Sequence, residues 1–266
     1  MRSVLALMRA SLLHAASYRL GMLLSLGGLL VSFVPLYFVS GALQPVVQES
    51  IRREGGQYFA FLIVGMGATF ILSAAISAVP GALMGSIASG TLEALLVTRT
   101  PLPLLLIGMS GYSLAWNVVK AVFLVTGAAL VGAHVSLTAV PLALVVVVLM
   151  TIAYFALGLL AGALVLVFRT SGPFTTGIIA ASGLLGGVYY STSVIPSWLR
   201  DLSAVIPLTY ALRPIRMLLL GGASAVDVRG DVVALTAISA GLLLVASAAF
   251  AAALRHARTA GTLSQY

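Results

Sequence analysis

The chain has 266 residues, 61% of them hydrophobic and 8% charged, with a mean hydropathy of +1.15; a soluble domain carries about 25% charged residues, so the composition excludes one and points to an integral membrane protein. The absence of cysteine removes disulfides, thiolate catalysis and cysteine metal sites together. A net charge of +8 and a pI near 10.3 arise from 14 basic residues spread thinly along the chain, without the basic cluster that nucleic acid would require, and positive residues at membrane edges account for the excess better.

In chain order, residues 1–18 put Arg2, Ser3, Arg9, Ala10 and Ser17 on one helical face and Leu5, Met8, Leu12 and Ala15 on another, as suits a helix lying in the headgroup plane. A secretory signal fits less well, because the apolar run after Arg19 is longer than a signal core and ends at no small-x-small site. Residues 20–40 form the first predicted span, with Pro35 as a kink. A polar loop comes next, from Gln44 to Gly56, and residues 57–79 form the second span, broken or bent by Pro80-Gly81.

The stretch from Ser89 to Pro101 reads as a short capped helix, expected over residues 89–99. Ser89 is the candidate cap, Glu93 lies near the positive end of the helix dipole, Arg99 lies near the negative end, and Pro101 with Pro103 stops further helix. Leu92, Leu95 and Leu96 share one face. Such a helix either presents that face to a partner or rests its leucines on lipid headgroups, and periodicity leaves both readings open.

Residues 104–131 form the third span and contain Lys120, the single lysine, on one face with Tyr112 and Trp116. That face either lines a substrate path that attracts an anionic group or carries a lysine snorkelling to the outer interface beside packing aromatics. The fourth span covers residues 139–168 and holds a small-x-x-x-small pair, Gly158 and Gly162, which allows close helix approach. Residues 173–190 form the fifth span, and 232–254 the sixth. Between them, residues 191–222 offer two short helices starting at Pro196 and Pro207, with Trp198 as an interface anchor, Tyr210 on the second piece, Pro214 as a kink and Gly221-Gly222 as the stop. These pieces are too short to cross, so a re-entrant or interfacial hairpin is expected, with Arg216 paired to a headgroup or to an acid such as Asp201.

Six spans put both termini on one side. Seven basic residues (Arg2, Arg9, Arg19, Arg99, Arg169, Arg255, Arg258) fall there and six (Arg52, Arg53, Arg200, Arg213, Arg216, Arg229) on the other; the short connections and the basic N-terminal helix favour cytoplasmic termini. The chain contains no Gly-x-x-x-x-Gly-Lys-Ser/Thr phosphate loop, since its one lysine comes directly after Val119. His14, His134 and His256 lack carboxylate neighbours at ligand spacing, so no metal site is expected, and all six acids lie in loops or at helix ends. Carriers driven by protons or sodium place carboxylates inside the membrane, which argues for an external energy source.

The segments Ser89-Gly90-Thr91-Leu92-Glu93-Ala94-Leu95-Leu96-Val97-Thr98, Ile195-Pro196-Ser197-Trp198-Leu199, Ile206-Pro207-Leu208-Thr209-Tyr210-Ala211 and Arg216-Met217-Leu218-Leu219 together resemble the permease subunit of the type-two ATP-binding-cassette exporters. The resemblance covers essentially the whole chain as a single permease domain. It implies an all-α membrane protein with an interfacial N-terminal helix, six transmembrane helices, a cytoplasmic coupling helix after the second and an external hairpin before the sixth. It further implies a multi-pass location in the cytoplasmic membrane and a dimer with a second permease chain, identical or homologous. Two copies of a separate ATPase would bind ATP and Mg and dock on the coupling helix through Leu92, Glu93, Leu95, Leu96 and Arg99. This chain itself would hold no cofactor and no catalytic residue. Drugs, lipids or glycolipids are the implied cargo, and an aromatic content of 8% tips the expectation toward drugs or lipids. The sequence departs from the family pattern at Arg99, where a proline is common, and at Arg213-Pro214, which is expected to interrupt a helix that is usually continuous. A non-transporting membrane scaffold is the alternative from another class. An intramembrane enzyme lacks paired acids or a nucleophile with its base.

Overall fold

A computed structural model describes residues 19–91 and 102–259. Its α-helices are, in order, α1 Arg19–Val47, α2 Tyr58–Ala88, α3 Leu102–Leu130, α4 Val140–Phe168, α5 Gly172–Leu185, α6 Ser197–Ser203, α7 Pro207–Leu219 and α8 Ala225–Thr259. Five of them (α1, α2, α3, α4 and α8) are long and apolar enough to cross a bilayer, which with the outward-facing Val31 and Phe38 on α1, Val118 and Val122 on α3 and Leu244 and Val245 on α8 makes this a multi-pass membrane protein.

The central element is α2. It is apolar all round, as a helix surrounded by protein must be, and its residues Leu72, Ile76 and Val79 are fully buried. It packs on α3, α4 and α1, while α8 packs on α4 and α7. Glycines set the closest approaches. A Cβ at Gly158 of α4 would lie 2.8 Å from the Ile76 carbonyl oxygen, and one at Gly162 would lie 2.6 Å from Val79 Cγ1 and 3.1 Å from the Phe250 ring, so the pair seats α4 against both α2 and α8.

Helix boundaries differ from the expected spans where polar residues suggest a loop. The first helix continues to Val47, and Gln44 within it caps the next: its Nε2 donates to the Gly56 carbonyl at 2.6 Å, and its Oε1 accepts from the Tyr58 N–H at 2.7 Å. Helix α1 runs through Pro35, α2 through Pro80 and α7 through Pro214. Proline costs one backbone bond, but apolar surroundings offer the freed chain no water, and the rest of the ladder holds. Ser89 is the C-cap of α2 rather than the N-cap of a new helix: its hydroxyl donates to the Gly85 carbonyl at 2.9 Å. Gly90, at φ +66°, then donates to Ile87 O and Thr91 to Ser86 O, the 5→2 and 6→1 bonds that close a helix with a left-handed glycine.

The fifth predicted span is helical over only part of its length. Helix α5 stops at Leu185 after 14 residues, about 21 Å of helix against a hydrocarbon core of about 30 Å. It runs back along α4 from that helix's end to its middle, where the Tyr154 hydroxyl donates to Ser182 Oγ at 2.7 Å. The chain then turns, reaches the end of the bundle near Tyr58 and Glu54 through Tyr189 and Ser191, and dips inward again through α6, whose Ser203 hydroxyl donates to the Leu185 carbonyl at 2.7 Å. Helix α7 leaves α6 at 93° and climbs back to the same end, where the Ser136 N–H donates to Leu219 O. Residues 172–191 thus carry the chain from the far end of α4 to the end that holds the α1–α2 and α3–α4 connections, and residues 191–220 dip in from that end and return to it.

Candidate functional site

The hairpin is held by one buried cation. Pro196 precedes α6 and Pro207 is the first residue of α7, where a missing N–H costs nothing and a fixed φ starts the helix. Nine residues on, Arg216 is 2% exposed. Its Nη1 lies 3.4 Å from Glu54 Oε2 and donates to Gly187 O at 2.8 Å. Its Nη2 donates to Val188 O at 2.9 Å and Phe61 O at 3.0 Å, and its Nε donates to Phe61 O at 3.2 Å. All five guanidinium N–H donors are thus spent, and the guanidinium carbon stands 3.4 Å from the Phe61 ring centroid. Of the expected partners, a headgroup or an acid such as Asp201, Arg216 has an acid but not that one: Asp201 is exposed on α6, and the acid that Arg216 meets is Glu54, on the short 3₁₀ turn Arg52–Glu54 before α2.

Three further residues complete this clasp. The Ser191 hydroxyl donates to the other Glu54 oxygen at 3.2 Å, and the Tyr58 hydroxyl donates to Tyr189 O at 2.9 Å. Gly65 makes the room: a Cβ there would sit 2.7 Å from both Arg216 Nη2 and Val188 O. The arrangement joins the start of α2, the turn before it, the chain leaving α5 and the rising limb of the hairpin. Chemically it is a positional lock, since every donor of Arg216 is occupied and the carboxylate lies beneath the surface. Sequence reasoning assigns no site role to Glu54, Phe61, Gly65 or Ser191, and no signal in the polar stretch around Glu54 separates it from Glu49.

The rim of the hairpin is more open. Arg213 reaches Asp231 of α8 at 3.3 Å and Thr192 at 3.5 Å, Tyr210 is half-buried, and Trp198 is 64% exposed, aimed away from the bundle. On α3, Tyr112, Trp116 and Lys120 are all partly buried, and the Lys120 ammonium lies 5.9 Å from the Phe70 ring centroid on α2. Leu92, Glu93, Leu95, Leu96 and Arg99 lie outside the described residues, as does the interfacial helix expected over 1–18. Among the described residues, no group of three or more histidines, aspartates or glutamates is placed to hold a metal ion.

Residues 2–220 match the family described as ABC-2 type transporter, a region that contains every described helix through α7 and leaves out α8. Nodulation protein J of Rhizobium leguminosarum bv. viciae is 29% identical over 177 residues, 64% of this chain and 66% of that protein. The alignment thus spans just under two thirds of the relative's length. A bundle of long apolar helices with a re-entrant hairpin before the last of them, lying almost wholly inside that match, makes this chain a multi-pass membrane permease of the ABC-2 type transporter family.

Proposed function

We propose that the chain is the permease subunit of an ATP-driven exporter that moves an amphipathic drug, lipid or glycolipid outward across the cytoplasmic membrane. Family membership over residues 2–220 is the observation that carries this reading. The missing phosphate loop supports a separate ATPase that binds ATP and Mg, taken up in two copies by a pair of permease chains, identical or homologous. In this reading residues 89–99 are the cytoplasmic docking segment, both termini are cytoplasmic and the hairpin faces outward. Tyr112, Trp116 and Lys120 belong to the wall that meets substrate. The similarity to Nodulation protein J, partial in both chains, carries no substrate over.

The test is reconstitution of the chain with a candidate partner ATPase in proteoliposomes. ATP added on the ATPase side should drive a fluorescent amphiphile across the bilayer, and the chain alone should hydrolyse no ATP. Hydrolysis by the chain alone, or an ATPase that neither copurifies nor supports flux, overturns the proposal and favours a scaffold.

A further inference from the structure

Among the described residues, Lys120 is the only cation placed within the length of a membrane-crossing helix and away from its ends. It stands ten residues before the end of α3 at Leu130, about 15 Å along the axis. Its neighbour Phe70 stands twelve residues into α2, about 18 Å from that helix's start, so the two measures of depth agree. A 29-residue helix overshoots a hydrocarbon core of about 30 Å by about 7 Å at each end, which leaves the Lys120 backbone about 8 Å inside the apolar layer.

Among the described residues, no acid neutralises it. Among the described residues the acids lie elsewhere: Glu49 pairs with Arg52, Glu54 with Arg216 and Asp231 with Arg213, Asp227 is bonded to Ser224, and Asp201 is exposed on α6. One turn and two turns before Lys120 on the same face come Trp116 and Tyr112. Among the described residues neither the indole N–H, the phenol hydroxyl nor the ammonium has a hydrogen-bond partner, whereas Asn117 beside them bonds back to Ser113 O at 2.8 Å. Trp116 is at the midpoint of α3, so it is not an interface anchor of the usual kind. The face presents donors and a positive charge, with no charged acceptor, over about 12 Å of helix.

We propose that Tyr112, Trp116 and Lys120 form an intramembrane site for the phosphate headgroup of an anionic amphiphile whose own hydrocarbon chains carry it to that depth. The proposal rests on the permease reading only for its meaning, as a substrate class; the binding itself requires no ATPase. An aqueous phosphate ion would have to shed its hydration and cross apolar surface to arrive, while a lipid brings the charge laterally from the headgroup layer.

The chain has two tryptophans, so Trp198→Phe leaves Trp116 as a single fluorescent reporter. The full chain in nanodiscs of phosphatidylcholine receives brominated phosphatidylglycerol or, separately, brominated phosphatidylcholine at equal mole fraction. Brominated phosphatidylglycerol should quench Trp116 several-fold more, Lys120→Arg should retain that preference, and Lys120→Met should abolish it. Equal quenching by the two lipids, or an undiminished preference in Lys120→Met, overturns the site. Loss of the preference on adding millimolar inorganic phosphate assigns the site to a soluble anion and overturns the lipid assignment. Quenching by neither lipid until the chains are diluted to monomers assigns the face to a second copy, with the same consequence. Failure of ATP-driven flux with the lipid preference intact would count against the permease reading and leave this site standing.

Discussion

Arg216 Nη1 and Glu54 Oε2 stand 3.4 Å apart across 162 residues of sequence, both below the protein surface. Burying two charges costs several kcal/mol each before attraction offsets it, and removing one partner exposes that cost. Glu54→Ala should therefore lower resistance to unfolding in detergent by about 3–5 kcal/mol. Glu54→Gln, which keeps an acceptor for Ser191, should lose less. Pairing Glu54→Ala with Arg216→Met should give a loss smaller than the sum of the single losses, because the two residues share one network. Strict additivity, read from thermal or sodium dodecyl sulfate unfolding of the four proteins, would remove the clasp as an energetic unit.

The glycines of α4 and α5 make a contrast of opposite sign. At Gly158 an added methyl meets Ile76 O and Ala75 O at 2.8 and 3.0 Å, backbone atoms that cannot rotate aside, so Gly158→Ala should cost about 1–3 kcal/mol through overpacking. At Gly177, inside α5, a Cβ meets nothing within 4 Å, and Gly177→Ala should be neutral or stabilise by up to about 1 kcal/mol through helix propensity. The melting temperatures of both variants check the pair, and a Gly158→Ala protein as stable as wild type would contradict the close seating of α4 on α2.

A chain without cysteine allows labelling with a clean background. Val194 is 57% exposed and Trp198 64%, whereas Ser203 is 1% exposed and bonded to Leu185 O. In intact cells a membrane-impermeant thiol reagent should modify Val194→Cys and Trp198→Cys rapidly, and spare Ser203→Cys. Uniform reaction at all three would rule out re-entry. Reaction only in inside-out vesicles would invert the proposed orientation.

The range of the forces involved decides which features are legible in the sequence. The long helices are legible because apolar runs of bilayer length have one outcome, and the Gly158/Gly162 pair is legible because small residues four apart mark a face. The partner of Arg216 is not legible, since nothing local distinguishes Glu54 from Glu49, which sits on the surface with Arg52. Gln44 reads as loop because its polarity masks a capping role that exists only once α1 and α2 are adjacent. The short α5 reads as a full span for the converse reason: the residues up to Val188 are largely apolar, but they leave the helix at Gly186 to be tied to Arg216. Each failure belongs to a residue whose environment is set by a segment distant in sequence.

In the segment from Ser89 to Pro101, which past Thr91 lies outside the described residues, Leu92, Leu95 and Leu96 fall at helical spacings on one face, with Glu93 beside it. If that face enters a groove of the ATPase, each buried leucine contributes about 1.5–3 kcal/mol, while an ion pair from Glu93 at the wet edge contributes about 0–1 kcal/mol. Assembly is then governed by the leucines and orientation by the acid. Leu95→Asp should release the ATPase from the detergent-solubilised complex, and Glu93→Ala should leave it bound while lowering the substrate moved per ATP hydrolysed. A connector that only rests on lipid headgroups has the opposite signature, because Leu95→Asp would then alter lipid contact and leave the ATPase in place. Pull-down of the ATPase by the two variants separates these cases, and equal retention by Leu95→Asp and wild type would argue against docking at this segment.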